Sequence, residues 1–347
     1  MKAMVVRQPG GIDAMKLESI ADPVAGARDV VIKVDACGVC FHDLLTRAGT
    51  LKAGVKMPCV LGHEIAGTVV ETGSGVSRFK TGDRVATAQR YHICGACRFC
   101  RGSRETLCVE RKFLGDWGLV GGYGEYVAVE DDNVALVPEG VSLTDASIAS
   151  CAIGTILNGV RDVGKLQMGE STLVTGAGGG LGLHAVQLAR LAGAYVIAQT
   201  TSPDKAELIR EMGAHAVVVH ARGADFSPEV RRLTDGRGVD VLIDNVGTPL
   251  FEPMRRSLGI AGRWILIGQL TGQFVPFNPA QLFLKNQSML SVTSTSRNQL
   301  EDVLALLQRG QVKAVVTRSL ALEEAGEAHT LMEAGRVTGR VVLRPNG

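Results

Sequence analysis

The sequence has almost no net charge and no long apolar run. Its 37 lysines and arginines nearly balance 35 aspartates and glutamates, which leaves a formal charge of +2. A chain this close to neutral gives no electrostatic reason to expect a nucleic-acid or membrane partner. Residues 1–7 contain only a four-residue apolar run before Arg7, so neither a secretory signal nor a membrane span is predicted. We expect a cytoplasmic protein that acts on a small molecule.

Internal repeats and low-complexity segments are also absent from the sequence. With 347 residues, 46% of them hydrophobic, the chain is long enough for two domains with sizeable cores. Its eight cysteines do not suggest disulfides, because disulfide frameworks are typical of short secreted chains. The cysteines instead favour metal ligation or catalysis.

The patterning changes near residue 152. Before it, short apolar runs such as 30–34 and 126–129 are separated by Gly, Pro and Asp turns, which predicts a mainly β region without regular helices. Residues 153–293 alternate strands with helices, which indicates a doubly wound parallel sheet. The predicted strands are 171–175, 194–199, 216–219, 239–245, 263–268 and 288–293; a helix at 298–308 and strand-like runs at 314–317 and 340–343 follow.

The sharpest motif is a lobe of four cysteines, Cys94, Cys97, Cys100 and Cys108, packed into fifteen residues. Four thiolates at this spacing are able to close a tetrahedral shell around Zn²⁺. A redox dithiol needs only two of them, so we favour a structural zinc site over free or oxidised thiols. A closed site of this kind supports folding and not turnover.

A glycine-rich turn follows the predicted strand 171–175 and opens a helical pattern. Alone, such a cluster is weak evidence, because a flexible loop is the alternative and its spacing is not a strict G-x-G-x-x-G. The strand before it and the helix and strand after it instead indicate a βαβ unit whose helix start holds a pyrophosphate. The residues predicted to contact a nucleotide here are Gly176, Gly179, Gly180, Leu181 and Gly182.

Three further candidate ligands are dispersed: Cys40, His63 and Cys151. Each alone is more often a core residue than a ligand. In order along the chain, however, these residues, the four-cysteine lobe and the glycine turn resemble the zinc-containing medium-chain alcohol dehydrogenase and reductase family. The resemblance covers essentially the whole chain. It implies an α/β fold, with a GroES-like, mainly β catalytic domain formed by residues 1–152 and 294–347 and a Rossmann domain formed by residues 153–293.

The resemblance also implies a catalytic Zn²⁺ held by Cys40, His63 and Cys151, which makes two zinc ions per chain. Glu64 is expected next to this metal and Asp43 is expected to orient His63. Three protein ligands leave one position open for an alcohol or carbonyl oxygen, so the reaction expected is hydride transfer between that substrate and a nicotinamide cofactor. A homodimer or homotetramer is implied by the resemblance alone.

The nicotinamide cofactor is predicted to be NADP(H). Folds that prefer NAD usually carry Asp or Glu at the end of the second strand, where it repels a 2′-phosphate. Residues 199–205 offer hydroxyls and a lysine there, and Asp204 is interpreted as a first-turn partner of the next helix. An ordinary loop is the alternative. The predicted contacts are Thr200, Thr201, Ser202 and Lys205, to which the family resemblance adds Val246, Gly268 and Arg340.

One position departs from the family pattern. Alcohol dehydrogenases of this family usually carry Ser or Thr at the position of His42, so His42 either moves the proton itself or only packs or hydrogen-bonds near the site. Relatives that replace this hydroxyl include NADPH-dependent enoyl reductases similar to acryloyl-CoA reductase, which is our alternative function. A non-catalytic NADPH-binding sensor is the second alternative. Arg90 is expected either to line a substrate pocket or to be exposed.

Overall fold

The computed structural model describes the whole chain, Met1–Gly347. Two compact units are present: unit 1 comprises Met1–Gly154 and Ser294–Gly347, and unit 2 comprises Thr155–Thr293. Unit 1 is mainly β and unit 2 is a parallel sheet with helices. No helix in the structure combines the length and the apolar character needed to cross a membrane.

The strands, in chain order, are β1 Lys2–Val6, β2 Met15–Ser19, β3 Asp29–Gly38, β4 Cys59–Val60, β5 Glu64–Thr72, β6 Arg84–Thr87, β7 Arg90–His92, β8 Lys112–Phe113, β9 Tyr126–Glu130, β10 Val134–Leu136, β11 Ser171–Val174, β12 Tyr195–Thr200, β13 Ala216–Val219, β14 Val239–Asp244, β15 Leu258–Leu266, β16 Ser288–Ser291, β17 Val316–Ala321 and β18 Arg340–Arg344. The helices are α1 Phe41–Ala48, α2 Arg98–Arg101, α3 Leu143–Ser147, α4 Thr155–Leu157, α5 Gly180–Leu191, α6 Ala206–Glu211, α7 Ser227–Arg232, α8 Phe251–Ser257, α9 Ala280–Phe283, α10 Arg297–Gln308 and α11 Ala325–Glu333, with π-helical turns at Ala149–Gly154 and Asn158–Val163.

Unit 1 is built on a seven-stranded sheet of order β10-β6-β5-β3-β18-β17, with β9 also paired to β3. Along β9 the inward Val127 and Val129 alternate with half-buried neighbours, the pattern of a sheet with one face in the core. Strand β18, from the C-terminal segment, pairs with β3 through Val342 opposite Gly38. The last residues of the chain therefore complete a sheet begun by the first forty.

Helix α1 lies in the region where no regular helix was predicted. Its apolar periodicity is short, and its start depends on a capping interaction: the backbone N–H of Cys40 donates to Asp43 Oδ2 at 2.9 Å. Gly49 ends it in the left-handed conformation with φ of 73°. The cap gives eight residues a defined start and end that hydrophobic periodicity did not reveal.

Unit 2 carries a six-stranded sheet in which every pair is parallel, in the order β13-β12-β11-β14-β15-β16. This is the doubly wound order, with its switch point between β11 and β14. Both faces of the sheet are covered, so its central strands are almost continuous apolar runs. Leu173, Ile197, Leu242 and Ile265 are fully buried. The predicted α/β class, with a GroES-like unit and a Rossmann-type sheet, is confirmed.

Two strands, β15 and β17, differ most from the boundaries expected. Strand β15 starts at Leu258 and not at 263, because its register against β14 shifts around a bulge that contains Gly259 and Gly262, which the sequence presents as a turn. Strand β17 runs to Ala321, beyond the predicted 317. The middle residues of β17 are polar and exposed at the edge of the sheet. They therefore lack the alternation of apolar and polar residues from which a strand is predicted.

Candidate active site and metal centres

The four predicted cysteines of the lobe converge. Their sulfurs lie within 4.8 Å of one another, and three of the pairs are 3.6, 3.6 and 4.0 Å apart. Tetrahedral Zn–S bonds of about 2.3 Å place sulfurs roughly 3.8 Å apart, so the spacing fits one ion. Backbone N–H groups point at the sulfurs, as from Cys97 to Cys94 at 3.3 Å. Such donors stabilise the thiolate form that a metal requires, and they lower the pKa of Cys97.

A second cluster is buried in unit 1. Cys40, His63, Glu64 and Cys151 offer ligand atoms that all lie within 4.8 Å of one another. The Cys40 and Cys151 sulfurs are 3.9 Å apart, again the spacing that a shared zinc ion gives two thiolates. Each of the four side chains is at most 8% exposed. The donor set of two sulfurs, one imidazole and one carboxylate suits Zn²⁺.

Helix α1 and the end of β3 orient this cluster. Cys40 precedes α1, and Asp43 in the first turn binds back to its backbone N–H. The same carboxylate accepts from Gly62 N at 3.3 Å and lies 3.2 Å from His63 Nδ1. Since Nδ1 faces Asp43, Nε2 is the nitrogen left for a metal, which is the arrangement that fixes a ligating histidine.

The charges in the cluster depend on one another. Cys151 donates a hydrogen bond to Cys40, which lowers the pKa of Cys40 well below its ordinary value against the effect of burial, and the Arg340 guanidinium adds to this. Burial opposes a charged His63, but Asp43 and Cys40 raise its pKa well above the usual range. Burial also raises the pKa of Glu64 to about 7 although Arg340 opposes this. An anionic thiolate beside a buried carboxyl group is the electrostatic condition that a cation relieves.

Arg340, predicted to contact the cofactor, lies in this cluster. Its Nη2 donates to Glu64 Oε1 at 2.6 Å and its Nη1 donates to Val39 O at 3.2 Å. The other carboxylate oxygen, Oε2 of Glu64, is buried without a hydrogen-bond partner. A Cβ at Gly38 would lie 2.5 Å from that oxygen, so glycine at the end of β3 makes room for the carboxylate.

His42 is half-buried beside the cluster. Its ring centroid is 5.1 Å from that of His63, edge to face. Its Nε2 contacts both oxygens of Asp116, at 3.0 and 2.8 Å, and Thr46 Oγ1 donates to the same carboxylate at 3.0 Å. Burial alone lowers the pKa of His42, and the Asp116 carboxylate outweighs it, so the pKa is raised. His42 is thus hydrogen-bonded to Asp116 beside the cluster, which agrees with either of the two roles expected for it.

Unit 2 forms the predicted glycine turn between β11 and α5. Gly176 has φ of 59°, which favours glycine, and a Cβ at Gly182 would lie 2.2 Å from Gly176 O. Gly179 precedes the first residue of α5, Gly180, so the helix starts at the predicted place and Leu181 lies in its first turn. The turn therefore has the tight backbone and the helix start that a pyrophosphate site uses.

The predicted cofactor loop begins where β12 ends, one residue later than expected. Ser202 N donates to Thr200 Oγ1 at 3.1 Å, which turns the chain through Thr201. The Lys205 stem lies over the glycine turn, because a Cβ at Gly178 would be 2.6 Å from its Cδ. Burial lowers the pKa of Lys205 although Asp204 opposes it.

Val246 and Gly268 follow β14 and β15, at the same carboxyl edge of the sheet as the glycine turn. A Cβ at Gly176 would lie 3.0 Å from Val246 Cγ2, and Gly268 N donates to Asp244 O at 3.0 Å. Sequence reasoning missed Asp244 itself, a buried carboxylate that accepts from Val246 N and Gly247 N. Its position at the end of an apolar strand was the signal available.

Three other residues around the metal cluster were also missed. Asp116 is 74 residues from its partner His42 and belongs to no motif. Tyr123 donates from its hydroxyl to Asp43 Oδ2 at 3.4 Å and contacts His329 Nε2 at 3.1 Å. These partners come from distant segments, so no local pattern identifies them.

Arg90, expected to be exposed or to line a pocket, is instead completely buried and bonded to Ser294 and Thr295.

Comparisons with known proteins agree with this geometry. Residues 26–139 match the alcohol dehydrogenase GroES-like domain and residues 180–309 match the zinc-binding dehydrogenase domain. The chain is 34% identical to an acryloyl-coenzyme A reductase of Sulfurisphaera tokodaii over 99% of this chain and 100% of that protein. It is also 34% identical to an NAD-dependent alcohol dehydrogenase of Sulfolobus acidocaldarius over 99% of each chain. The crystal structure of AibC superposes with a TM-score of 0.92 at 40% identity, covering 100% of this chain and 96% of that one.

The chain combines a buried cluster of zinc-type ligands on a GroES-like unit with a doubly wound parallel sheet, the type of sheet that binds nicotinamide cofactors. These features define an oxidoreductase. The chain belongs to the zinc-containing medium-chain alcohol dehydrogenase and reductase family. The resemblance seen in the motifs is thereby confirmed, as is the prediction of an oxidoreductase.

Proposed function

We propose that this protein transfers hydride between NADP(H) and an alcohol or carbonyl substrate at a catalytic zinc held by Cys40, His63 and Cys151, with Glu64 beside the metal. The observation that carries the proposal is the buried convergence of these four ligand groups within 4.8 Å. A zinc ion bound there supplies Lewis acidity, which favours the alkoxide form of an alcohol and polarises a carbonyl. A second zinc in the four-cysteine lobe stabilises the fold.

Other residues of the chain orient the proposed metal ligands and move the proton. Asp43 fixes the His63 ring through Nδ1, and Arg340 holds one oxygen of Glu64. His42 occupies the place where a hydroxyl usually passes the alcohol proton. Its Nε2 carries a proton toward Asp116, which leaves Nδ1 as the nitrogen available to exchange a proton with substrate or solvent.

The cofactor proposed is NADP(H). No acidic side chain ends β12, whose last residue is Thr200 and which Ser202 follows, and the Lys205 stem lies over the glycine turn. A 2′-phosphate is accepted by hydroxyls and a lysine and is repelled by a carboxylate. Gly176, Gly179, Gly180, Leu181 and Gly182 hold the pyrophosphate in this proposal.

A second candidate is reduction of a carbon–carbon double bond conjugated to a thioester. It is favoured by the His42–Asp116 dyad, because protonation of a carbon needs a positioned acid in place of a hydroxyl relay. Two relatives at 34 and 33% identity are acryloyl-coenzyme A reductases, and the proposal carries that substrate class to this chain.

The test joins a metal count by elemental analysis to an NADPH-oxidation panel of aldehydes, ketones and an enoyl-CoA. We expect two zinc ions per chain and carbonyl reduction that disappears in Cys40→Ser together with one zinc. Cys59→Ser is the matched control, since Cys59 is also buried but lies outside both clusters. Activity confined to the enoyl thioester would select the second candidate. Tight NADPH binding without turnover on any substrate would identify a non-catalytic sensor and overturn both.

We also propose a cytoplasmic homodimer or homotetramer. Strand β16 is an edge strand of the parallel sheet of unit 2, and apolar side chains in the segment that precedes it in the chain are exposed: Phe274 by 98%, Leu284 by 78% and Phe283 by 67%. A second copy is the simplest cover for such a surface. Light scattering after size exclusion tests this, and a monomer at micromolar concentration would contradict it.

A further inference from the structure

The π-helical turn that contains Cys151 accepts a hydrogen bond from a side chain that lies outside the turn. Thr295 Oγ1 donates to the carbonyl oxygen of Ser150. That oxygen belongs to the peptide unit that ends at the Cα of Cys151, and a peptide unit is planar and rigid. Fixing the carbonyl therefore fixes the N–Cα bond of Cys151 and restricts the directions in which its side chain can leave the backbone.

Packing at this contact allows little freedom. Thr295 is completely buried, and a Cβ on Gly154, the last residue of the π-helical turn, would lie 2.5 Å from Thr295 Cγ2 and 2.7 Å from its Oγ1. The turn and the threonine are thus in direct contact on both sides of Cys151. Helix α10, which starts two residues after Thr295, packs against the same turn.

Arg90 holds the segment that presents Thr295. Its Nη1 donates to Ser294 Oγ at 2.6 Å and its Nη2 donates to Thr295 O at 2.8 Å. Ser294 has φ of 60°, an unfavourable conformation for serine that persists only where surrounding contacts impose it. Burying a charged guanidinium completely costs free energy unless hydrogen bonds compensate for the lost water. The two hydrogen bonds from Arg90 are therefore specific contacts of the interior and not surface contacts.

The same segment is tied to the four-cysteine lobe. Glu105 lies between Cys100 and Cys108, and its Oε1 accepts from Arg297 N, at the start of α10, at 2.9 Å. Arg90 itself lies in β7, four residues before Cys94, and is paired through β8 to the chain that leaves the lobe. A continuous set of contacts therefore connects the lobe to the peptide before Cys151: Glu105 and Arg90, then residues 294–297, then Ser150.

We propose that Thr295 is a positioning residue for the metal ligand Cys151, and that Arg90 and Glu105 couple it to the four-cysteine lobe. The lobe then organises the catalytic metal site in addition to stabilising the fold. This inference rests on the proposed function, because it requires Cys151 to bind the catalytic metal.

The experiment compares Thr295→Val, which keeps the shape and removes the hydroxyl, with Thr295→Ser, which keeps the hydroxyl. Release of each zinc is followed in a chelator competition. Absorption of the Co²⁺-substituted protein reports thiolate–metal geometry without requiring turnover. Because Thr295→Val loses one buried hydrogen bond, we expect it to retain zinc about tenfold more weakly at the Cys40–His63–Cys151 site. We expect an altered Co²⁺–thiolate band, unchanged retention in the lobe and wild-type behaviour in Thr295→Ser.

Arg90→Lys and Glu105→Ala extend the test along the path and replace Thr295→Val if that variant does not fold. Each should weaken retention at the catalytic site while the lobe keeps its metal. Wild-type retention and an unchanged Co²⁺ spectrum in the variants would overturn the positioning role, as would equal loss from both sites. A wild-type protein that binds zinc only in the lobe would instead show that the proposed function fails, and the inference with it.

Discussion

The buried His329 makes the stability of unit 1 depend on pH. Its Nδ1 lies 3.3 Å from Arg47 Nη1 and its Nε2 lies 3.1 Å from the Tyr123 hydroxyl. Because a guanidinium only donates, Nδ1 must accept, and Nε2 carries the single proton of the neutral ring. Burial lowers the pKa of His329 to about 4; Arg47 lowers it as well, whereas Asp43 and Glu333 oppose the shift.

The sign of the effect follows from the two protonation states. In the unfolded chain the histidine takes up a proton below its ordinary pKa of about 6.5, whereas the folded protein holds it neutral down to about pH 4. Acidification therefore favours the unfolded state throughout that window. At 1.36 kcal/mol per unit, the full shift corresponds to about 3 kcal/mol, of which about 2 kcal/mol is lost between pH 7 and pH 5.

The measurement is urea unfolding of the wild type and His329→Gln at pH 7 and pH 5 with zinc in excess. The loss of unfolding free energy on acidification should be about 2 kcal/mol smaller in the variant, since other titrating groups contribute equally to both. Tyr123→Phe is the control: it removes a neighbour but leaves His329 buried beside Arg47, so it should keep the wild-type pH dependence. Equal pH dependence in His329→Gln and the wild type would refute the reasoning.

Three further predictions concern the lobe, the cofactor loop and the parallel sheet. Cys108→Ala should lose one zinc per chain and lower the melting temperature; retained metal with unchanged melting would contradict a structural site. Thr200→Asp should shift the ratio of kcat/KM values toward NAD(H) by about tenfold, which corresponds to 1.4 kcal/mol, and an unchanged ratio would place the determinant elsewhere. Asp244→Asn should cost about 1–3 kcal/mol in urea unfolding, because an amide N–H then faces the Trp264 Nε1–H that donates to Oδ2 at 3.1 Å. The penalty should shrink in a Trp264→Phe background, and equal penalties in both backgrounds would show that this contact is not its source.

The features predictable from sequence are those encoded within a few residues. We could predict the four-cysteine lobe, the glycine turn before α5 and the strands around that turn. Each of these patterns lies within a few consecutive residues. The doubly wound parallel sheet followed from the alternation of strands and helices. The combined motifs then led to the family.

The features that sequence did not reveal depend on pairs that the fold brings together. His42 meets Asp116 across 74 residues, and Arg90 meets Ser294 across 204. Both partners are single polar residues in segments without periodicity, so nothing local distinguishes them from surface positions. Arg90 shows the cost of that ambiguity: an arginine in an irregular segment reads as exposed, yet two specific acceptors allow its complete burial.

The pairing of β18 with β3 has a consequence for the order of events during synthesis. Arg340, which binds Glu64 in the metal cluster, follows it by 276 residues in the chain. At about 5–20 residues per second, a ribosome needs roughly 15 to 55 seconds to deliver that arginine after Glu64 has emerged. During this interval Cys40, His63 and Cys151 lack both their final sheet partner and the cation that offsets Glu64. The four cysteines of the lobe lie within fifteen residues and have no such wait, so we expect the lobe to assemble before the Cys40–His63–Cys151 cluster does.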